Sequence, residues 1–217
     1  MDTKKIAMQI VVYVVGLIIL AFGVAFGVHS ALGISPVNSL SYVVSQTSGI
    51  SMGISVTGFF VFCILLQIVI LRKEFRWINL SQIIFSSILG VFIDIALIAT
   101  AGLYASNYFV QLAMLGASII LIAFGLTIYL SAKMVSLPPE GVVEAILQKT
   151  GKGTFSTIKV IMDSLIVLAA VVLALLLLGN IIGVREGTIA SAILIGKAMP
   201  PIDKVTQYLL KKVRISF

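Results

Sequence analysis

Two carboxylates stand inside stretches that are otherwise apolar: Asp94 in ILGVFIDIALIAT and Asp163 in IKVIMDSLIVLAA. An ionised carboxylate near a bilayer centre costs at least about 2.5–3.5 kcal/mol, so such a residue faces a cavity or a partner. Both are candidates for binding a substrate. The alternative for each is a structural hydrogen bond to Ser or Asn on a neighbouring helix, or an ion pair with the nearby Lys159. A second set of candidates lies in two short polar segments: Ser35, Pro36, Asn38 and Ser39 in LGISPVNSL, and Pro138, Glu140 and Glu144 in LPPEGVVEAI. Each proline falls where it would open a helix. Ser35 is placed to cap the first helix, and Glu140 sits in the first turn of the second, where a carboxylate suits the dipole. Helix starts of this kind hold anions on backbone N–H groups. Glu140 and Glu144 favour a zwitterion or a cation instead, or serve as proton-binding coupling groups.

Other chemistries are excluded by what the chain lacks. Its one cysteine, Cys63, and one histidine, His29, permit no intramolecular disulfide and no Cys- or His-pair metal site. A nucleophile–base set and a phosphate loop are missing as well, so no enzyme activity, metal or cofactor is expected.

The elements that position these residues follow from composition. Of 217 residues, 60% are hydrophobic and only 11% charged, with a mean hydropathy of +1.19. A water-facing surface cannot be built from so few charges, which excludes a soluble enzyme, a nucleic-acid-binding domain, a disordered chain and a secreted disulfide scaffold. Apolar runs of spanning length fall at about 6–28, 52–71, 78–101, 109–132 and 155–178, with a shorter, glycine-interrupted sixth at about 187–202. The short helices are expected over 36–47 and 138–150. At about 18 Å they are too short to cross, so they are either re-entrant half-helices or interfacial helices lying flat, with Val37, Leu40, Val43 and Val44 in lipid.

The basic residues give an orientation. With both termini inside, all of the 15 Lys and Arg residues except Arg185 fall on the cytoplasmic side, while 29–51 and 102–108 carry no charge. The tail 204–217 reads as a basic amphipathic segment on the inner leaflet.

Sliding the chain over itself by 102 residues lays Ile18, Ala21, Phe22, Gly23, Pro36, Gln46 and Gly49 on Ile120, Ala123, Phe124, Gly125, Pro138, Gln148 and Gly151. A further four-residue insertion lays Gly90 on Gly196. The expected architecture is an all-α membrane protein of six transmembrane helices, built as two inverted three-helix repeats (1–106 and 107–203), each with a short helix after its first span. Odd-numbered repeats must enter the membrane from opposite sides, a symmetry common among secondary transporters. On that reading the helix starts at Pro36 and Pro138 converge on one central site. Gly16, Gly23 and Gly27 form a close-packing stripe, used within the chain or in a homodimer. His29 is expected to be a plain polar residue at a helix end.

The motifs LGISPVNSL, GISMG, ILGVFID, LPPEGVVEAI and GTIASAILIG together resemble the bacterial YczE/YyaS/YitT group of small integral membrane proteins. The resemblance implies a multi-pass protein of the bacterial inner membrane and no particular substrate. In size and helix number the chain also resembles substrate-binding subunits of energy-coupling-factor importers, which need a small-residue docking face on helix one. The expected function is a small secondary carrier or permease for an organic solute, with the bilayer and a small molecule as partners and no nucleic acid. The alternatives are a membrane accessory or chaperone protein, or such an importer subunit.

Overall fold

Hydropathy and helix punctuation account for nearly all the elements. The computed structural model describes residues 3–212, and all their regular structure is helical. In chain order the elements are α1 (Thr3–Ser30), α2 (Pro36–Ser48), α3 (Met52–Leu71), two 3₁₀ turns (Arg72–Glu74 and Trp77–Ser81), α4 (Gln82–Ala99), α5 (Tyr108–Ser131), α6 (Pro138–Thr150), α7 (Phe155–Leu178) and α8 (Glu186–Lys212). Five helical segments have the length and composition to cross a membrane: Ile6–Ser30, Met52–Glu74, Trp77–Ala99, Tyr108–Ser131 and Phe155–Leu178. The sixth apolar stretch lies in α8, which also carries Lys197, Pro200, Pro201, Asp203 and Lys204. The tail begins no helix of its own, because α8 continues through the two prolines to Lys212; residues 213–217 lie outside the described region.

The short helices start and stop at Pro and Gly for the expected reasons. Pro36 and Pro138 occupy the first helical position, where no N–H is needed. Gly49 and Gly151 close them at φ of 73° and 61°, a conformation that costs a side-chain-bearing residue energy. The expected cap from Ser35 does not form. Its hydroxyl instead accepts from Asn38 Nδ2 at 2.9 Å, and no side-chain capping bond is made.

At the centre, α1 and α5 lie antiparallel in close contact. Gly16 meets Tyr129 and Gly125, Gly23 meets Ile122, Gly27 meets Ser118, and Gly125 meets Leu20. A Cβ on Gly16 would stand 2.6 Å from the Tyr129 backbone nitrogen, so the stripe is consumed within the chain. Tyr13, Leu17, Val24, Val56 and Ile93 fill the surrounding core.

The connections gather at two ends of this bundle. At one, Ile34 N–H donates to the Gly183 carbonyl, Gly187 N–H to Leu32 and Arg185 Nη1 to Ala31, while His29 Nε2 lies 3.0 Å from Thr100 Oγ1. At the other, Gln9 Nε2 donates to Ala132, Tyr13 Oη to Val135, and Lys149 pairs with Glu74 at 2.9 Å. Helix α8 runs the full depth beside α5. It starts at Glu186, with Gly187 bonded to Leu32 at the first end, and reaches Gln207, whose Nε2 donates to Ser131 Oγ at 3.3 Å, at the second.

Candidate functional site

Helix α2 is not a surface helix. Pro36, Asn38, Ser39, Ser41 and Val43 are buried, and Val43 packs on Ala170 and Ala174 of α7. Helix α6 likewise buries Pro138, Pro139, Gly141, Val142, Val143 and Ala145. Gln67 of α3 donates to the Pro138 carbonyl at 3.1 Å and to Gln82 Oε1 at 2.9 Å, fixing the start of α6 against α3 and α4. Both short helices therefore run inward, with their starts buried and the residues beyond their ends exposed.

Those two starts line one cavity of about 210 Å³. Ser35, Pro36 and Asn38 border it from α2, Leu137 and Glu140 from α6, Ser156, Lys159 and Asp163 from α7, and Ser191 and Gly196 from α8. The remainder of the wall is apolar, including Leu20, Phe60, Leu89, Ile122, Leu126 and Met199. An apolar cavity of about 150 Å³ holds a benzene ring, so this one has room for a small organic group.

Charge is concentrated on one wall. Lys159 Nζ lies 3.0 Å from Asp163 Oδ1 and 3.8 Å from Glu140 Oε1, and the three side chains are 26%, 18% and 15% exposed, respectively. Two carboxyl groups share one ammonium beside an apolar space, where an uncompensated charge is costly, so a proton or a further cation balances the cluster. Several backbone donors at the two helix starts are already committed. Asn38 and Ser39 N–H already donate to the Ser35 carbonyl, Gly141 N–H to Leu137, and Pro138 and Pro139 have none. Pro200 has no N–H to return to the carbonyl of Gly196, a residue that also borders the cavity.

The remaining sequence candidates lie elsewhere. Ser39 is fully buried and donates to the Pro36 carbonyl at 2.7 Å. Glu144 is exposed and accepts from Ser136 Oγ at 3.1 Å. Asp94 does not line the cavity and holds the start of α3. Its carboxylate accepts from Ser51 Oγ at 2.6 Å and from Gly53 N–H at 2.7 Å, the structural alternative weighed from the sequence. Asp163 forms the ion pair with Lys159 that was the structural alternative, and it also borders the cavity. Sequence reasoning passed over Lys159, Ser156 and Ser191 as site residues. The available signal was the four-residue spacing of Lys159 and Asp163, which puts both on one helix face.

Residues 7–204 match the model of a family described as a family of unknown function, DUF6198. The chain is 28% identical over 149 residues to the uncharacterized membrane protein YczE of Bacillus subtilis, covering 68% of this chain and 67% of that one. It is 28% identical over 132 residues to the uncharacterized protein YyaS of the same organism, covering 60% and 64%. No solved structure gives a significant match. A relative described as a membrane protein and five spanning-length apolar helices agree on a multi-pass membrane protein.

Proposed function

From the premise that the chain belongs to the DUF6198 family, we propose that it is a small secondary carrier in the bacterial inner membrane for an organic cation or zwitterion, bound in the cavity between the starts of α2 and α6. One observation carries this reading: two helix starts about a hundred residues apart in sequence border a single cavity whose charged wall is one positive charge short. Such a wall disfavours an anion and suits a ligand that brings an ammonium or its equivalent.

The inverted repeat supports a carrier, and the α1–α5 contact supports the repeat. An offset of 102 residues converts the Gly16–Tyr129 contact into Ser118–Gly27, and Gly23–Ile122 into Gly125–Leu20. Each contact is thus made twice with the roles exchanged, as around a two-fold axis. In this reading α8 is the sixth crossing, supported by its course beside α5 from one end of the bundle to the other. The Lys149–Glu74 pair joins the two connections assigned to the cytoplasm, and Arg185 reaches Ala31 on the opposite side. The short helices are then re-entrant, in line with their buried starts.

The test is ligand-dependent thermal stabilisation of the purified protein in lipid nanodiscs, across a panel of organic cations, zwitterions and anions, followed by uptake into liposomes. A cation or zwitterion should stabilise it, and Asn38→Leu and Glu140→Gln should each remove most of that shift while leaving folded yield intact. A ligand indifferent to both changes would place the site elsewhere, and selective binding of anions would refute the charge argument.

A further inference from the structure

The cavity does not end at its polar wall. A cleft of about 420 Å³ continues from it between α7 and α8, and Pro36, Val160, Asp163 and Ala192 border both spaces. Its sides are apolar, formed by Val167, Leu168 and Val171 on one helix and Ile189 and Ile193 on the other. Leu168, Ile189 and Ile193 are exposed on the molecular surface, so the cleft opens laterally toward the position of lipid. From Asp163 to Val171 the cleft follows α7 for about 12 Å at 1.5 Å per residue.

We infer that the substrate is a cationic amphiphile, a single-chain amine that enters sideways from the bilayer, seats its ammonium against the cavity face of the Glu140–Lys159–Asp163 cluster and leaves its alkyl chain in the α7–α8 cleft. This inference rests on the cavity being the substrate site and adds the chemical class and the route. The ammonium supplies the positive charge that Lys159 alone does not. The chain needs no special pocket, because lipid tails and the cleft wall are equally apolar and transfer between them is nearly neutral. Selection therefore falls on the head group: hydrogen bonds to charged partners discriminate by roughly tenfold or more between an amine and an alcohol of equal length.

The experiment uses the full-length protein in phosphatidylcholine nanodiscs with three ten-carbon probes, each carrying a diazirine near its tail end: an amine, an alcohol and a carboxylate. After photolysis, peptides are mapped by mass spectrometry. The amine should label residues 160–171 and 188–193 at least about tenfold above the other two. Combined Glu140→Gln and Asp163→Asn should lower it to the level of the alcohol. Val167→Trp, which narrows the cleft and leaves the charged wall untouched, should abolish cleft labelling while ethylamine still stabilises the protein. Equal labelling by all three probes would show an ordinary lipid-facing groove and overturn the inference. Stabilisation by ethylamine without cleft labelling by the long amine would overturn the amphiphile and its lateral route while leaving the carrier reading standing. If neither amine binds while a zwitterion stabilises the protein, the inference falls and the carrier reading stands.

Discussion

Helices α3 and α4 close on each other, whereas α7 and α8, their counterparts under the proposed repeat, stand apart. The counterparts are set by chain landmarks. Ser51 and Thr154 cap α3 and α7 with side chains that accept from the N–H three residues on, and Gly90 corresponds to Gly196. In the first half, Gly53 and Gly90 bring the backbones into contact, leaving no room for a Cβ on either, and Asp94, one turn beyond Gly90 in α4, pins the start of α3. In the second half the matching positions, Ser156 and Gly196, both border the cavity, and Gly196 has nothing within 4 Å of where its Cβ would be. One pair of helices is a closed seam and the other an open one. A structural carboxylate belongs to the first and, under the proposed function, a binding carboxylate to the second.

That contrast can be broken most violently at its glycines. Gly53→Leu should cost about 3 kcal/mol or more through overpacking and lower folded yield sharply, while Gly196→Leu should melt within a few degrees of the parent. Thermal melts in detergent compare the two directly, and equal losses would erase the distinction between the seams. The carboxylates sharpen it at smaller scale. Asp94→Ala strips acceptors from Ser51 Oγ and the Gly53 N–H and should cost about 1–3 kcal/mol. Asp163→Asn should change the melting temperature less and abolish ligand-induced stabilisation. If Asp94→Ala abolished ligand binding at unchanged stability, the roles would be reversed. The smallest effect is expected at the half-exposed Lys149–Glu74 pair. Lys149→Ala should leave the melting temperature unchanged within error, as exposed ion pairs commonly do.

The local signals were readable because each has one physical meaning. A proline that needs no donor opened both short helices, a glycine at positive φ closed them, and long apolar runs became α1, α3, α4, α5 and α7. The roles of Asp94 and Asp163 were not separable, since both sit in apolar helices and hydropathy treats them alike. What divides them is tertiary: the Gly53–Gly90 approach brings a free N–H and a serine to Asp94, and the missing α7–α8 contact leaves Asp163 beside a space. Lys159 was read as a cytoplasmic charge, and only the packing of α6 against α7 places Glu140 near it. The glycine stripe on α1 announced a close contact without naming the partner, because small residues permit approach by any helix; the partner is α5.

The comparison of the two seams assumes that the halves are inverted copies, and side-specific labelling tests that most directly. In a Cys63→Ala background, single cysteines at Ser48 and Lys149, exposed positions near the ends of α2 and α6, are reacted in intact cells and in inside-out vesicles with a membrane-impermeant maleimide. Ser48→Cys should be labelled only from outside and Lys149→Cys only from the cytoplasmic side. Labelling of both from the same side would contradict the inverted repeat, and with it the convergence of two re-entrant helix starts on a single transport site.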